Sequence, residues 1–518
     1  MKAQYCLLAL LLAVNTPAAE ATKTNPAAEE TNNPSARKSE LAAIPDASHE
    51  PVFVTNTVTI AGHRVRYQAE TGMLPVLKPD GTSRASVFYV AYTRLNESSE
   101  LRTPNSELEE QRPVTFCFNG GPGSSSVWLH LGALGPRRVD MNEDGTLPKP
   151  PFHIEDNPNS ILDGSDLVFI DPIATGFSRA TKNDTDAAFF SQSADLESVG
   201  EFIRLWTTRH DRWLSPKYLC GESYGVFRAA GLANHLYTRY GLYLNGLILV
   251  SGVLDFATID PGAGNDLPYE LFLSDFTATA YHFKKLPPDL QNDLPKALTE
   301  AREFAKGEYA SALQQGAALS ADERKKIITE LARLTGLNTQ VIEDNNLRID
   351  SGTFRKQLLH HEGLILGAYD GRITGRDDDP ASPSPDFDPS YAATYGPFSA
   401  AVNDYVREDL KFKDDLPYEI IAGVQPWNYG THNNYPSVSD KLASVMNQNP
   451  YMRVIVLGGM RDLVCPIDTM RYSLDHMQLD PAYRKNISYE TFQAGHMMYV
   501  NLPDLKKMHK VLEDFIKQ

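Results

Sequence analysis

The five residues Gly221-Glu222-Ser223-Tyr224-Gly225 constrain this chain more than any other stretch. They follow directly on the apolar run Lys217 to Cys220 and precede Val226 to Tyr237, whose composition suits a helix. A G-x-S-x-G match alone arises by chance in about one chain in six of this length, so its context decides. A serine between a strand and a helix is held in a turn so sharp that neighbouring side chains would clash, and flanking glycines relieve that. Such a turn lifts the hydroxyl above the carboxyl edge of a sheet, within reach of a base. Ser223 is the expected nucleophile.

The rest of the chain supplies that sheet. Val52 to Ile60 and His63 to Gln68 alternate around Ala61-Gly62 as an antiparallel hairpin does, and Ser86 to Arg94 reads as a third strand. Continuous apolar runs then recur at Pro113 to Phe118, Asp166 to Ile170, Lys217 to Cys220, Leu247 to Val250, Arg453 to Leu457 and Ile487 to Phe492. Runs apolar on both faces, alternating with helical stretches, imply a mostly parallel sheet covered by helices on each side. Between residues 255 and 415 the texture changes. Ser320 to Glu323 forms a capping box, Ile327, Ile328, Leu331 and Leu334 follow at helical spacing, and Gly336 stops the helix. Thr353 to His361 is a second short helix candidate, and the acidic, proline-rich Asp377 to Pro389 reads as loop. The fold expected is α/β, of the α/β-hydrolase type, with a largely helical cap inserted. Its parts are residues 51–254 and 416–518 for the sheet domain and 255–415 for the cap.

Three further segments belong with Ser223. Asn119-Gly120-Gly121-Pro122-Gly123 follows the run Pro113 to Phe118, where this fold places one backbone donor of an oxyanion hole, the second being the N–H of Tyr224. Neither G-K-[ST] nor G-x-G-x-x-G is present, so the loop does not read as a phosphate cradle. Asp462, in Gly458-Gly-Met-Arg-Asp462, and His496, after Gly495, each lie just past the end of a late apolar run. The chain order Ser, Asp, His matches a catalytic triad of this fold.

Charge and cysteines narrow the class. A net charge of −17 without a long basic run argues against nucleic acid as partner. Lys2 followed by the apolar Tyr5 to Val14 and by Ala19-Glu20-Ala21 reads as a signal peptide over residues 1–21. Residues 22–50, rich in Ala, Thr, Asn, Pro and Glu, read as a disordered leader. The expected mature protein is exported, periplasmic or extracellular, with no transmembrane span. Cys6 would leave with the signal; Cys117, Cys220 and Cys465 are too few for a disulfide framework and read as packed thiols. No metal-ligand spacing occurs, and neither metal nor cofactor is expected.

From about residue 85 onward, the segments FNGGPGSSSVWLHLGALGP, GESYG, GGMRD and GHMMYVNLP together resemble those of the serine carboxypeptidase family. That resemblance implies Ser223 as nucleophile, His496 as general base then acid, and Asp462 as its orienter. It implies oxyanion donors at Gly121 and Tyr224, and binding of a peptide's terminal carboxylate by Asn119, Gly120 and Glu222. Peptides with a free C-terminus are the implied substrates. Two carboxyls facing each other must share a proton, so binding should favour acid pH. The chain departs from the family at Ser124, where a cysteine is usual, at Ala133, where a glutamate supports carboxylate recognition in many members, and at Met460, where an acidic residue is common. The scarce cysteines and short signal look like those of a bacterial envelope member. A carboxylesterase or acyltransferase on the same scaffold is the competing expectation, because a triad does not choose its acyl donor. A catalytically dead binding protein is a third, which the intact Ser223, Asp462 and His496 disfavour.

Overall fold

A computed structural model describes Ala47 and residues 50–95, 112–182 and 184–517. The expected signal and nearly all of the expected leader lie outside the described residues. The sheet is built from β1 (Val52–Ile60), β2 (His63–Leu77), β3 (Ser83–Arg94), β4 (Val114–Phe118), β5 (Asp166–Ile170), β6 (Lys217–Glu222), β7 (Gly246–Val250), β8 (Arg453–Gly459) and β9 (Ile487–Phe492). Their spatial order is β1-β2-β3-β5-β4-β6-β7-β8-β9, and the two-residue strand Arg179–Ala180 pairs with β3 as the tenth. The first three pair antiparallel, as does β3 with β5; every pairing from β5 to β9 is parallel.

Side chains of the central strands alternate between two cores. Phe116, Leu219, Leu249 and Val456 enter the core beneath helices Gln192–Arg209, Tyr224–Tyr240 and Ser439–Gln448. Cys117, Cys220, Val250 and Leu457 enter the opposite core with helices Pro389–Glu408 and Leu502–Lys517. With both faces of β4 to β8 buried, apolar residues dominate these strands, which is why they read as continuous runs. β2 runs nine residues past the expected end at Gln68. It does so because β3 pairs with it from Tyr67 to Leu77, whereas β1 stops opposite Thr71. Pro75 therefore sits where β2 has a free edge and its missing N–H costs no ladder bond.

Residues 272 to 366 form most of a third core, containing Phe276, Leu290, Ile327, Leu331, Leu334 and Phe354, to which Leu463 from the loop after β8 also contributes. The capping box at Ser320 and Glu323 forms, and Gly336 ends that helix with φ 71°. Thr353 to His361 divides between helix Ser351–Gln357 and a 3₁₀ turn at His360–Glu362. Helix Pro389–Glu408 packs on the sheet through Phe398, Val402 and Tyr405 rather than on the third core. No helix among the described residues is long and apolar enough to cross a membrane.

Candidate active site

Parallel register brings the ends of β6, β7, β8 and β9 to one edge: Glu222 lies opposite Val250, Val250 opposite Leu457, and Gly459 opposite Phe492. Ser223 directly follows β6, and Asp462 and His496, the rest of the expected triad, lie in the turns after β8 and β9. Ser223 follows β6 with φ 61° and ψ −128°, a strained left-handed conformation for a side-chain-bearing residue. Its N–H donates to Val250 O at 3.0 Å, so the strained turn is tied to the neighbouring strand. A Cβ on Gly225 would meet Phe118 O at 2.8 Å, and one on Gly221 would collide with the carbonyl of Gly225. The half-buried Ser223 hydroxyl makes no hydrogen bond among the described residues.

Asp462 is fully buried, and its two oxygens have separate tasks. Oδ1 accepts from the N–H groups of Val464 and Cys465, each at 2.9 Å, which fixes the carboxylate plane. Oδ2 stands 2.8 Å from His496 Nδ1. A carboxylate only accepts, so Nδ1 carries the proton and Nε2 keeps a lone pair for use as a base. Burial works to lower the pKa of His496, but the charge and hydrogen bond of Asp462, with Glu222 beyond, outweigh it and raise the value.

The glycine loop after β4 lies directly on this turn. A Cβ on Gly120 would come within 2.7 Å of both Glu222 O and Gly225 N, and closer still to Tyr224 N. Among the described residues no chain atom accepts from the N–H of Gly121 or of Tyr224. Two free backbone donors on adjoining segments are what an oxyanion requires. Below the loop, Arg228 Nη1 donates to Asn119 O at 2.5 Å while its Nε pairs with the buried Asp195 at 2.8 Å. Asn119 Oδ1 accepts from Leu129 N at 3.1 Å. Ser124, which stands where a disulfide cysteine was the family expectation, instead accepts from Trp128 Nε1 at 3.0 Å.

Glu222 is 3% exposed. Burial raises its pKa to about 7, against the opposing pull of His496, the Tyr499 hydroxyl and the Asn119 amide. Tyr499 donates to Glu222 Oε2 at 2.7 Å. Ala133 is buried in the π-helical turn His130–Leu134, among apolar neighbours, and adds no charge. Cys117 and Cys220 are register partners on adjacent strands, and with Cys465 they are buried free thiols.

Three contributors were not visible in sequence. Tyr369, from the inserted residues, accepts from His496 N through its carbonyl at 2.5 Å, and its ring centroid lies 5.1 Å from the imidazole. Tyr391 and the exposed Tyr395 continue an aromatic row away from it, at 6.0 and 5.2 Å. Arg228 and Tyr499 are the others. Only Tyr499 lay within a quoted segment, and nothing local marked its partner.

A six-stranded parallel sheet with a nucleophile turn, a glycine loop and a buried Asp–His pair at its carboxyl edge defines an α/β hydrolase. Residues 64–503 match the family model described as serine carboxypeptidase, and the chain belongs to that family. It is 30% identical over 180 residues to serine carboxypeptidase-like 26 of Arabidopsis thaliana, covering 32% of this chain and 38% of that one. It is 28% identical over 137 residues to the pheromone-processing carboxypeptidase KEX1 of Colletotrichum graminicola, covering 26% and 20%. The matched segments thus span well under half of these curated relatives. In fold it is similar to the prohormone-processing carboxypeptidase Kex1 of Saccharomyces cerevisiae, with TM-score 0.53, 18% identity and coverage of 87% and 91%.

Proposed function

We propose that the chain is a serine-type carboxypeptidase that releases C-terminal residues from peptides through an acyl-enzyme on Ser223. The observation that carries this choice is Glu222: a buried carboxyl, adjacent in chain to the nucleophile, with its pKa raised to about 7. A triad alone does not choose its acyl donor, whereas a neutral carboxyl beside it can share its proton with a substrate's terminal carboxylate. Asn119 and Gly120 complete the cradle.

His496 Nε2 takes the Ser223 proton as Oγ attacks the scissile carbonyl. The N–H groups of Gly121 and Tyr224 receive the oxyanion. The imidazolium, steadied by Asp462, then protonates the departing amine, and the C–N bond breaks. Water attacks the acyl-enzyme with His496 again as base, and Ser223 is restored with its proton.

The pH dependence has a definite sign. Glu222 is neutral below about pH 7 and binds a carboxylate; as pH rises through that value it charges and repels the same group. His496 must be neutral to act as base, which opposes every substrate at low pH. The ratio of kcat/KM for a blocked dipeptide to that for its C-terminal amide cancels this limb. That ratio should fall as pH rises through about 7, and Glu222→Gln should remove most of the fall. A flat wild-type ratio would refute carboxylate recognition and favour the second reading, an esterase or acyltransferase, which the methyl of Ala133 supports.

We also propose that the chain is exported. The charged-then-apolar pattern from Lys2 to Val14 supports this reading.

A further inference from the structure

Tyr499 stands three residues after His496, outside the triad, with its hydroxyl on Glu222. Its ring occupies space that Gly132 leaves open: a Cβ there would come within 2.6 Å of Tyr499 Cε2 and 3.1 Å of Phe398 Cζ. The neighbouring Ala133 brings no polar atom from its side chain, and its carbonyl is occupied by Asn157 Nδ2 at 2.9 Å. Both Tyr499 and Glu222 are buried, at 1% and 3% exposure, so the bond between them has no competition from water.

We propose that Tyr499 is the positioning residue of the carboxylate pocket: its hydroxyl holds Glu222 Oε2, leaving Oε1 to carry the proton shared with the substrate's terminal carboxylate. The inference rests on the carboxypeptidase reading and refines it. A second carboxylic acid in this place would titrate along with Glu222 and make recognition depend on two protons. A phenol supplies a donor that stays protonated over the working range, because burial and the adjacent Glu222 hold its own pKa well above the usual value. Recognition then turns on the single ionisation of Glu222.

The other groups facing this pair are identifiable. His496 and Asp462 act on Glu222 from the loops after β9 and β8, with opposite signs. Tyr369 approaches from the insertion, and Cys220 lies near Tyr499 from within β6. Asn119 adds its amide from the glycine loop. A hydrogen bond from Tyr499 favours the charged form of Glu222, so its removal should raise the pKa rather than lower it.

The test uses the full-length enzyme and the acid-to-amide ratio of kcat/KM, measured from about pH 5 to about pH 9. In Tyr499→Phe the midpoint of that ratio should move up by roughly one pH unit, the equivalent of a hydrogen bond to a charged group. KM for the free acid should rise several-fold while kcat changes less, since the residue orients a binding group. Gly132→Ala should displace the ring and shift the midpoint in the same direction with the hydroxyl still present. Loss of packing alone would lower acid and amide together and leave the midpoint in place. A wild-type midpoint that neither variant moves upward overturns the role of Tyr499 and leaves the carboxypeptidase reading standing. A wild-type ratio without any midpoint overturns both.

Discussion

Replacing Gly120 by alanine would test the oxyanion hole through space alone. Gly120 does not adopt the positive φ that its neighbour Gly121 does, so its backbone tolerates a side chain and only the added methyl matters. That methyl would lie 2.7 Å from Glu222 O and from Gly225 N, against an ordinary separation of about 3.5 Å. All the opposing atoms are backbone, so no rotamer change relieves the overlap, and the two segments must part by close to 1 Å. The turn at Ser223 is fixed to Val250 and cannot retreat; Arg228 and Leu129 N anchor Asn119 from the other side. The loop tip carrying Gly121 is the part that yields, and its N–H leaves the place that the proposed oxyanion hole requires. Loss of one such donor lowers kcat by about 10²–10³, and a misplacement near 1 Å is worth about 10². We expect kcat for a blocked dipeptide to fall by about two to three orders of magnitude, with overpacking costing about 1–3 kcal/mol of stability. Gly423→Ala is the control, because a Cβ at that exposed position meets nothing within 4 Å. Steady-state kinetics beside thermal melts would separate the two effects. A folded Gly120→Ala enzyme with kcat within about threefold of wild type would refute the assigned geometry.

Ser223→Ala should abolish hydrolysis, by several orders of magnitude in kcat, while the circular dichroism spectrum stays that of the folded protein; retained turnover would remove Ser223 from its role. N-terminal sequencing of the native protein should find a start between about residues 19 and 22, and an intact Met1 would count against export.

The central sheet was legible because β4 to β8 are buried on both faces, so burial itself wrote the apolar runs from Pro113 to Leu457 into the sequence, whereas the edge strand β9 is only partly buried. The length of β2 was not, because residues 69–77 take their conformation from β3 across the pair, and Gly72 and Pro75 locally suggest an end rather than a continuation. The same division separates the site residues. Ser223, Asp462, His496 and the glycine loop sit in sharp turns after strands, where the backbone admits few residue types and therefore leaves a local mark. Arg228, Tyr369 and Tyr499 act through atoms that meet only in three dimensions. Tyr369 contributes a main-chain carbonyl, which no side-chain pattern could announce.

Glu222 shows where local reading ends and what the fold adds. Sequence places a carboxyl beside the nucleophile, and on that alone it would be an ordinary acid, charged at neutral pH. Folding closes Asn119, Tyr499 and the turn of Ser223 around it, and the loss of water raises its pKa to about 7. At that value Glu222 is protonated where a peptide carboxylate is not, and the two can share one proton. Its influence also runs back to His496, since each carries a charge the other feels. A negative Glu222 favours the imidazolium, so under the proposed recognition the ionisation that ends carboxylate binding also disfavours the free base. The charge of each group therefore acts on the titration of the other, His496 lowering the pKa of Glu222 and Glu222 raising that of His496. Tyr369, bonded to His496 from residues 255–415, ties the inserted segment to that pair. A rearrangement there would move the backbone that carries the imidazole.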